Sequence, residues 1–266
     1  MVEPAAPEPL PATRGLRYGD DARTPLGPPQ GHQKVLYRGV RLLFRVVFTV
    51  LGRVELVGAE KLPGHGAYVL APVHRSNVDF ALLSLLTKRR MRFMGKDAIW
   101  KSKVLGRSVS VLGAFPVHRG APDREAMRVC HSVLQHGEPL VMFAEGTRKQ
   151  GAEVDELFDG TAYVAARAGV ALYPVGIGGT KKLLPKGAKR PRFSKLVVVV
   201  GDPIEAPPSA SAGGEGPRRV SRSAVRQNTL RLRRELQALY DRAQARAGDP
   251  NPPRTETPAP VDLDGG

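Results

Sequence analysis

From residue 67 onwards, short apolar runs alternate with stretches of helical periodicity. The apolar runs predict strands at 67–71, 91–94, 113–117, 139–144, 171–176 and 196–200. The remaining stretches predict helices over 79–88, 97–111, 122–136, 160–168 and 222–246. Strands that alternate with helices in this way are typical of a parallel sheet with helices on its faces. The sequence therefore predicts an α/β fold with a mostly parallel mixed sheet flanked by helices.

Both ends of the chain are rich in proline and poor in large apolar side chains. Such segments bury too little apolar surface to offset the entropy lost on ordering. We predict disorder over 1–30 and 248–266 and a single domain over 31–247, which ends in a basic helix over 222–246. The first residues lack the basic segment and apolar run of a secretory signal, so a cytoplasmic location is expected.

One strongly apolar segment, residues 32–52, precedes the alternating region and contains Arg38, Arg41 and Arg45. Its longest uncharged stretch, 46–52, is far shorter than the ~20 residues that a spanning helix needs, so no transmembrane helix is predicted. Two interpretations fit the segment. It is either a helix lying in a membrane interface, with arginines reaching lipid phosphates, or an ordinary helix packed on the core.

The chain is strongly basic, with 41 Lys and Arg against 25 Asp and Glu and a net charge of +16. Such an excess favours an anionic partner, which could be nucleic acid, anionic lipid or an acidic carrier protein. A basic composition that serves only solubility is the alternative. Charge alone does not choose among these partners.

The first of four short motifs at predicted strand ends is APVHRSNVDF, in which four residues separate His74 from Asp79. The histidine ends a strand and the aspartate begins a helix, so the turn could bring the carboxylate against the imidazole. An aspartate that binds one ring nitrogen leaves the other free to take a proton. Taken alone, the pattern favours a capping aspartate and a hydrogen-bonded loop histidine.

The other three motifs also follow or interrupt predicted strands. They are GAFPVHRG with Arg119, FAEGTRKQG with Glu145, Gly146, Thr147 and Arg148, and ALYPVGIGG with Pro174. A Gly-Thr pair that leaves a strand can present backbone N–H groups to an anion, and arginine binds phosphate bidentately. Glu145 could pair with either arginine or hold its loop by accepting backbone N–H bonds. Proline within a strand indicates a sheet edge or a bulge rather than a central ladder.

Together, the four motifs resemble those of the glycerolipid acyltransferase family, which includes the 1-acylglycerol-3-phosphate acyltransferases. Their order, strand-end placement and spacing agree over about residues 65–202. The resemblance implies the His-x4-Asp acyltransferase fold. It also implies transfer of an acyl group from acyl-coenzyme A or acyl carrier protein to the free hydroxyl of 1-acylglycerol 3-phosphate in phospholipid biosynthesis. No cofactor beyond that co-substrate is implied.

The sequence also departs from the family pattern. Val73 stands before the histidine where asparagine is common, and Lys149, Gln150 and Gly151 follow the third motif where many members have serine and small residues. These differences leave the acceptor open among 1-acylglycerol 3-phosphate, glycerol 3-phosphate, another lysophospholipid and a glycolipid.

The resemblance further implies a role for each motif. His74 would remove the proton from the acceptor hydroxyl without a covalent acyl-enzyme, and Asp79 would orient it. Arg119 and the motif Glu145, Gly146, Thr147 and Arg148 would bind the acceptor phosphate. Pro174 would mark the strand end of the fourth motif.

Other chemistries are less well supported by the residues. No His, Cys, Asp and Glu cluster with ligand spacing is present, so no metal is predicted. Ser76 lies beside the motif histidine, but Gly-x-Ser-x-Gly is absent, which disfavours a serine hydrolase. The one cysteine, Cys130, excludes an intramolecular disulfide and is interpreted as a buried helix residue.

The basic clusters at 88–103 and 181–195, with the apolar segment 32–52, predict peripheral binding to the cytoplasmic face of an anionic membrane. Two functions of other classes are alternatives for a basic chain: a nucleic-acid-binding protein and a lipid-binding module without catalysis. One tryptophan and no recognisable binding module argue against a nucleic-acid partner. The intact motifs argue against a module that has lost catalysis.

Overall fold

Seven strands form one sheet in the computed structural model of this chain, which describes residues 31–96, 100–102, 106, 109–117, 124–185, 187–188, 190–207 and 220–253. The strands are β1 (Val54–Val57), β2 (Val69–Pro72), β3 (Arg92–Lys96), β4 (Ala114–Val117), β5 (Leu140–Val141), β6 (Leu172–Gly178) and β7 (Leu196–Val200). Their spatial order is β1-β7-β6-β2-β5-β3-β4. Five neighbouring pairs are parallel, whereas β6 and β7 are antiparallel. The predicted single-domain α/β fold with a mostly parallel mixed sheet is confirmed.

The helices among the described residues connect and flank these strands. They are α1 (His32–Leu51), α2 (Asp79–Leu83), α3 (Arg124–Gln135), α4 (Gly160–Ala168), α5 (Thr180–Leu183) and α6 (Arg222–Arg246), with a 3-10 turn at Ala59–Lys61. Both ends of α4 and α6 agree with the sequence-based prediction. The helix predicted over 97–111 lies largely outside the described residues. None of the described helices has the length and apolarity to cross a bilayer.

Helix α2 ends at Leu83, although the sequence predicts a helix over 79–88. The Ser84 hydroxyl donates to the Ala81 carbonyl at 2.6 Å, and Nε of Arg41 in α1 donates to the Ser84 carbonyl at 3.0 Å. Side-chain donors of this kind compete with backbone N–H groups for the carbonyls of a helix. The short helix is therefore fixed against α1.

Helix α6 packs directly on the backbone of β6. A Cβ added at Gly176 would lie 2.2 Å from the Leu239 carbonyl oxygen, and one at Gly178 would lie 2.2 Å from that of Ala243. Only glycine allows a helix and a strand to approach so closely. The two glycines of β6 therefore set how near the last helix comes to the sheet.

Pro174 lies in β6, a central strand between β2 and β7, and not at a sheet edge. Leu172 pairs with Ile204, and Val175 pairs with Val200. The two residues of β6 between these pairs therefore face three residues, 201–203, of the segment that follows β7. This β-bulge leaves a ladder position unpaired, which suits a residue that has no N–H to donate. The expected sheet edge is wrong, and the expected bulge is confirmed.

The chain beyond α6 differs from the disorder predicted from residue 248. Gly248, at φ 78°, ends the helix, and its N–H donates to the Ala245 carbonyl at 3.1 Å. The N–H of Asp249 donates to the Gln244 carbonyl at 3.0 Å, which completes a Schellman motif. The segments 1–30 and 254–266, also predicted to be disordered, lie outside the described residues.

Candidate active site

The His74–Asp79 motif occupies the turn that connects β2 to α2. The β2 hydrogen-bonding pattern continues to Val73, whose N–H donates to the Val175 carbonyl of β6 at 3.0 Å. His74 is the next residue, so its side chain stands at the carboxyl end of a central parallel strand. In open α/β sheets this edge is where ligands bind.

Three donors converge on one carboxylate oxygen of the buried Asp79. Its Oδ2 lies 3.0 Å from Nδ1 of His74 and accepts the N–H groups of Arg75 at 2.7 Å and Ser76 at 2.8 Å. The two backbone donors fix the carboxylate, and the carboxylate fixes the Nδ1–H tautomer of the imidazole. The contact predicted between His74 and Asp79 is therefore present, and Nε2 is the ring nitrogen that can accept a proton.

Phe143 holds the imidazole from one side. Its ring stacks on that of His74 with centroids 4.0 Å apart and planes inclined by 26°. The His74 side chain keeps 17% of its surface exposed, so the ring is clamped but still accessible to solvent.

Glu145 of the third motif binds Arg75. Nη1 of Arg75 donates to both Oε1 and Oε2 of Glu145 at 2.7 Å, and both side chains are buried. The same Oε1 accepts the N–H of His74 at 3.1 Å. Among the described residues, Glu145 therefore pairs with Arg75 and not with Arg148, while Arg119 lies outside the described residues. The backbone N–H that Glu145 accepts belongs to the His74 turn and not to its own loop.

Helix α6 completes the environment of Arg75. The guanidinium lies over the ring of Tyr240, 4.5 Å from its centroid, and Nη2 donates to the Glu153 carbonyl at 3.1 Å. Burial raises the pKa of Tyr240, an effect that the charge of Arg75 opposes, so the phenol stays neutral. The last helix therefore contacts the His74 turn through one buried arginine.

The Glu145–Arg148 turn uses its amides internally. The N–H of Gly146 donates to the Phe143 carbonyl at 2.9 Å, and that of Thr147 donates to the Glu145 carbonyl at 2.7 Å. The prediction that the Gly-Thr pair presents these two N–H groups to an anion is therefore wrong. Backbone amides that close a tight turn have no hydrogen left for a ligand.

Gly146 is required by both its backbone and its neighbour. Its φ of 67° lies in the left-handed region, and an added Cβ would lie 2.8 Å from Cε2 of Phe158. The exposed ring of Phe158 thus packs on the turn that follows β5.

The cationic side chains predicted to bind phosphate are only partly described. Thr147 and Arg148 are exposed, and Arg148 has no ionic or hydrogen-bond partner in the part of the chain that the structure describes. The next residue, Lys149, donates its N–H to the His74 carbonyl at 2.9 Å, so Arg148 lies beside the His74 turn. Arg119 lies outside the described residues. Among the described residues, no group of three or more His, Cys, Asp and Glu could hold a metal ion.

A second cation, Lys181 of α5, borders the same turn. Its Nζ donates to the carbonyl of Gln150, and burial and then the nearby Arg75 charge lower the pKa of Lys181. The Ser76 hydroxyl donates to the Leu184 carbonyl at 3.4 Å, just beyond α5. Segments from the first, third and fourth motifs therefore meet around His74.

Residues 53–178 match the family model described as Acyltransferase, and this range contains the first three motifs and all but the last residue of the fourth.

This chain is similar to curated proteins named 1-acyl-sn-glycerol-3-phosphate acyltransferase. The chloroplastic enzyme of Arabidopsis thaliana is 30% identical over 141 residues, which are 52% of this chain and 39% of that protein. The Bacillus subtilis enzyme is 25% identical over 173 residues, which are 64% of this chain and 82% of that protein. The chain spans less than half the length of the plant protein.

A solved structure shares the fold of this chain. The crystal structure of the 1-acyl-sn-glycerophosphate (LPA) acyltransferase PlsC from Thermotoga maritima superposes with a TM-score of 0.62 and 22% sequence identity. The match covers 78% of this chain and 80% of that one.

Sequence reasoning missed three residues of this site: Arg75, Phe143 and Tyr240. Of the three, Arg75 carries the clearest sequence signal. It lies in the turn between a predicted buried strand and a predicted helix, and an arginine that is buried there needs a carboxylate as partner. Phe143 and Tyr240 carry no such signal, because a core aromatic and a functional aromatic have the same sequence pattern.

Proposed function

We propose that this chain transfers a fatty acyl group from a thioester donor to the free hydroxyl of 1-acylglycerol 3-phosphate, making phosphatidic acid for phospholipid biosynthesis. The convergence of three donors, including Nδ1 of His74, on Oδ2 of Asp79 carries the proposal. The names of the curated relatives supply the acceptor.

His74 acts as the general base in this proposal. Nε2 takes the proton of the acceptor hydroxyl while the oxygen attacks the thioester carbonyl. The carbonyl carbon then forms its ester C–O bond, the C–S bond breaks, and the imidazolium gives its proton to the leaving thiolate. Asp79 stabilises the imidazolium between these steps. General-base catalysis contributes about 10²- to 10⁴-fold, so positioning of the two substrates supplies much of the remaining acceleration.

Arg148 and Arg119 bind the acceptor phosphate, with the exposed Thr147 hydroxyl as a further donor. The charge of Arg148, which has no partner among the described residues, lies beside the His74 turn and supports this assignment. Glu145 and Gly146 act by shaping the turn, because a buried carboxylate that already binds Arg75 would repel a phosphate. Pro174 pairs with Ala71 of β2, the strand that leads to His74, and so serves the site by fixing β6 beside that strand.

The donor and the finer identity of the acceptor are parts of the same proposal. Acyl-coenzyme A and acyl carrier protein present the same thioester to His74. Glycerol 3-phosphate, another lysophospholipid or a glycolipid hydroxyl would use the same proton transfer. No metal or separate cofactor takes part in the proposed reaction.

The exposed face of α1 supports peripheral binding at the cytoplasmic side of a membrane. One face of α1 is packed through Tyr37 and Phe48, so the core-packing interpretation holds for that side. The opposite side, called the α1 face from here on, exposes Val35, Leu36, Leu42, Leu43, Val46, Val47 and Val50. Lys34, Arg38 and Arg45 are exposed along one edge of it. An apolar helix face bordered by cations is suited to an anionic bilayer interface.

The direct test is transfer of a labelled acyl group from acyl-coenzyme A to 1-acylglycerol 3-phosphate by the purified chain. His74→Ala serves as the matched variant, because it removes the base while Asp79 keeps its two backbone donors. Product from the parent chain and none from the variant is the expected result.

Parallel reactions with acyl carrier protein as donor, and with glycerol 3-phosphate, lysophospholipid and glycolipid acceptors, identify the preferred pair. Absence of product with every pair, from chain whose fold is verified by circular dichroism, would overturn the enzymatic proposal. Retention of acyl lipid without turnover would then indicate a binding module.

A further inference from the structure

Phe193, an exposed apolar residue that is not part of the α1 face, lies close to the end of α1. Its side chain is 76% exposed, the most exposed large apolar residue among the described ones. The N–H of the following residue, Ser194, donates to the Leu51 carbonyl at 3.1 Å, which ties this segment to the last turn of α1. Phe193 therefore lies one residue away from a contact with the last turn of α1, the turn in which Val50 is exposed.

The exposure of Phe193 is imposed by its neighbours. The N–H of Arg192 donates to the Leu183 carbonyl at 2.8 Å, and the Ser194 hydroxyl donates to the Gly179 carbonyl at 3.1 Å. Ser194 is itself buried. A phenyl ring held outward between two anchored residues exposes apolar surface that water disfavours.

The segment around Phe193 is basic, like the edge of the α1 face. Arg190 and Arg192 are exposed, and the described residues provide no acidic partner for either. An exposed aromatic ring beside two exposed arginines has the chemistry of an interfacial anchor, because the ring enters the acyl region and the cations bind lipid phosphates.

The same segment also reaches the active site. It begins at Leu184, whose carbonyl accepts the Ser76 hydroxyl at 3.4 Å, and ends at Ser194 on the last turn of α1. Helix α2, which begins at Asp79, is tied to α1 by Arg41. The Phe193 segment therefore contacts both the last turn of α1 and the His74 turn.

We propose that Phe193 is a second membrane anchor, which acts with the α1 face to hold the domain on an anionic bilayer with the His74 turn toward the lipid. Two separate contacts with the bilayer fix the tilt of the domain, whereas contact through α1 alone allows the domain to rotate about the axis of that helix. The inference rests on the proposed action at a membrane surface. It adds a residue and an orientation to that proposal.

The opposite side of the sheet provides the control. Helix α6 packs on the face of β7 that carries Val197 and Val199. Gly52, directly after α1, lies against Leu196, whose side chain points to the other face because strand residues alternate. Leu230 of α6 is 37% exposed among arginines and is therefore a matched apolar residue away from the proposed contact.

Vesicle binding measures the contribution of Phe193 without any substrate. The full chain, Phe193→Ala, Phe193→Trp and Leu230→Ala are sedimented with vesicles of phosphatidylcholine and phosphatidylglycerol. Phe193→Ala is expected to weaken binding about tenfold, from the lost burial of one phenyl ring, while Phe193→Trp and Leu230→Ala bind like the parent. Equal binding by Phe193→Ala and the parent overturns the proposal. Because no turnover is measured, this result is independent of the acyl-transfer test.

A site-specific probe tests the orientation. Cys130 is fully buried, so a nitrobenzoxadiazole maleimide added to Phe193→Cys or Leu230→Cys labels the new thiol. Anionic vesicles are expected to shift the emission of the label at 193 to shorter wavelength and to leave that at 230 unchanged. A shift at 230 alone would place the arginine face of α6 on the membrane and overturn the proposal. A shift at 193 without lipid would indicate that a second copy of the chain covers Phe193, which overturns it as well.

Discussion

Nη1 of Arg75 donates to both carboxylate oxygens of Glu145 at 2.7 Å, and this buried ion pair lies one peptide away from His74. Oε1 of Glu145 also accepts the His74 N–H. The first and third motifs, 70 residues apart in sequence, are thus joined by one carboxylate. The geometry of the base therefore depends on two residues that are not in contact with substrate in the proposed reaction.

Replacement of Arg75 is expected to destabilise the fold. Arg75→Met leaves the Glu145 carboxylate buried without its counter-charge, and breaking a buried pair in this way costs about 3–5 kcal/mol. Urea unfolding followed by circular dichroism measures the loss. In a double-mutant cycle, Arg75→Met with Glu145→Gln should cost less than the sum of the two single changes. Strict additivity would show that the two residues are not coupled.

Tyr240 is expected to act on Arg75 through its ring and not its hydroxyl. Tyr240→Phe keeps the aromatic face 4.5 Å from the guanidinium and loses the hydroxyl, which donates to the Gly151 carbonyl at 3.4 Å and also interacts with Arg75. Tyr240→Leu removes the face, and a desolvated cation–π contact is worth about 2 kcal/mol. The free energy of unfolding should therefore fall more for the Leu variant than for the Phe variant. The reverse order would assign the contribution to the hydroxyl.

Gly146→Ala should damage the third motif from within. A left-handed φ costs a non-glycine residue about 1–2 kcal/mol, and the new Cβ would meet the ring of Phe158. We expect a loss of stability of at least that size together with reduced acyl transfer. The double variant with Phe158→Ala should regain the stability lost to the clash with the ring, but not the stability lost to the left-handed φ. A double variant no better than Gly146→Ala alone would exclude a contribution from the ring.

The elements with long, regular patterns were predictable from sequence. The apolar stripe of α6 and the run of α4 between two glycines predict both ends of each helix as the structure has them. In contrast, β1 was missed because it has only four residues and includes Glu55, which pairs with Lys195 across the sheet edge at 2.9 Å. A short strand with a charged residue looks like a loop until its partner strand is known.

The site was predictable at the level of motifs but not of partners. His74 and Asp79 lie five positions apart, so the local turn brings them together. The partner of Glu145 depends on how β2 and β5 lie side by side, which no local pattern encodes. The amides of Gly146 and Thr147 were assigned to an anion because their own acceptors in the turn could not be read from residue types.

The His74–Asp79 pair should behave as one catalytic unit. In Asp79→Asn, the amide oxygen can take the position of Oδ2 and accept the N–H groups of Arg75 and Ser76 and the Nδ1–H of His74, but the neutral amide cannot stabilise the imidazolium that forms on proton transfer. We therefore expect kcat to fall by about 10²- to 10⁴-fold.

His74→Ala should cost about as much, and the double variant should be little worse than either single change, because residues that act as a unit are not additive. Steady-state acyl transfer to 1-acylglycerol 3-phosphate measures each step, with circular dichroism confirming that the variants are folded. Retention of more than about a tenth of the parent kcat by Asp79→Asn would mean that the charge of the carboxylate does not stabilise the imidazolium. A double variant that loses the product of the two single effects would show that the two residues act separately.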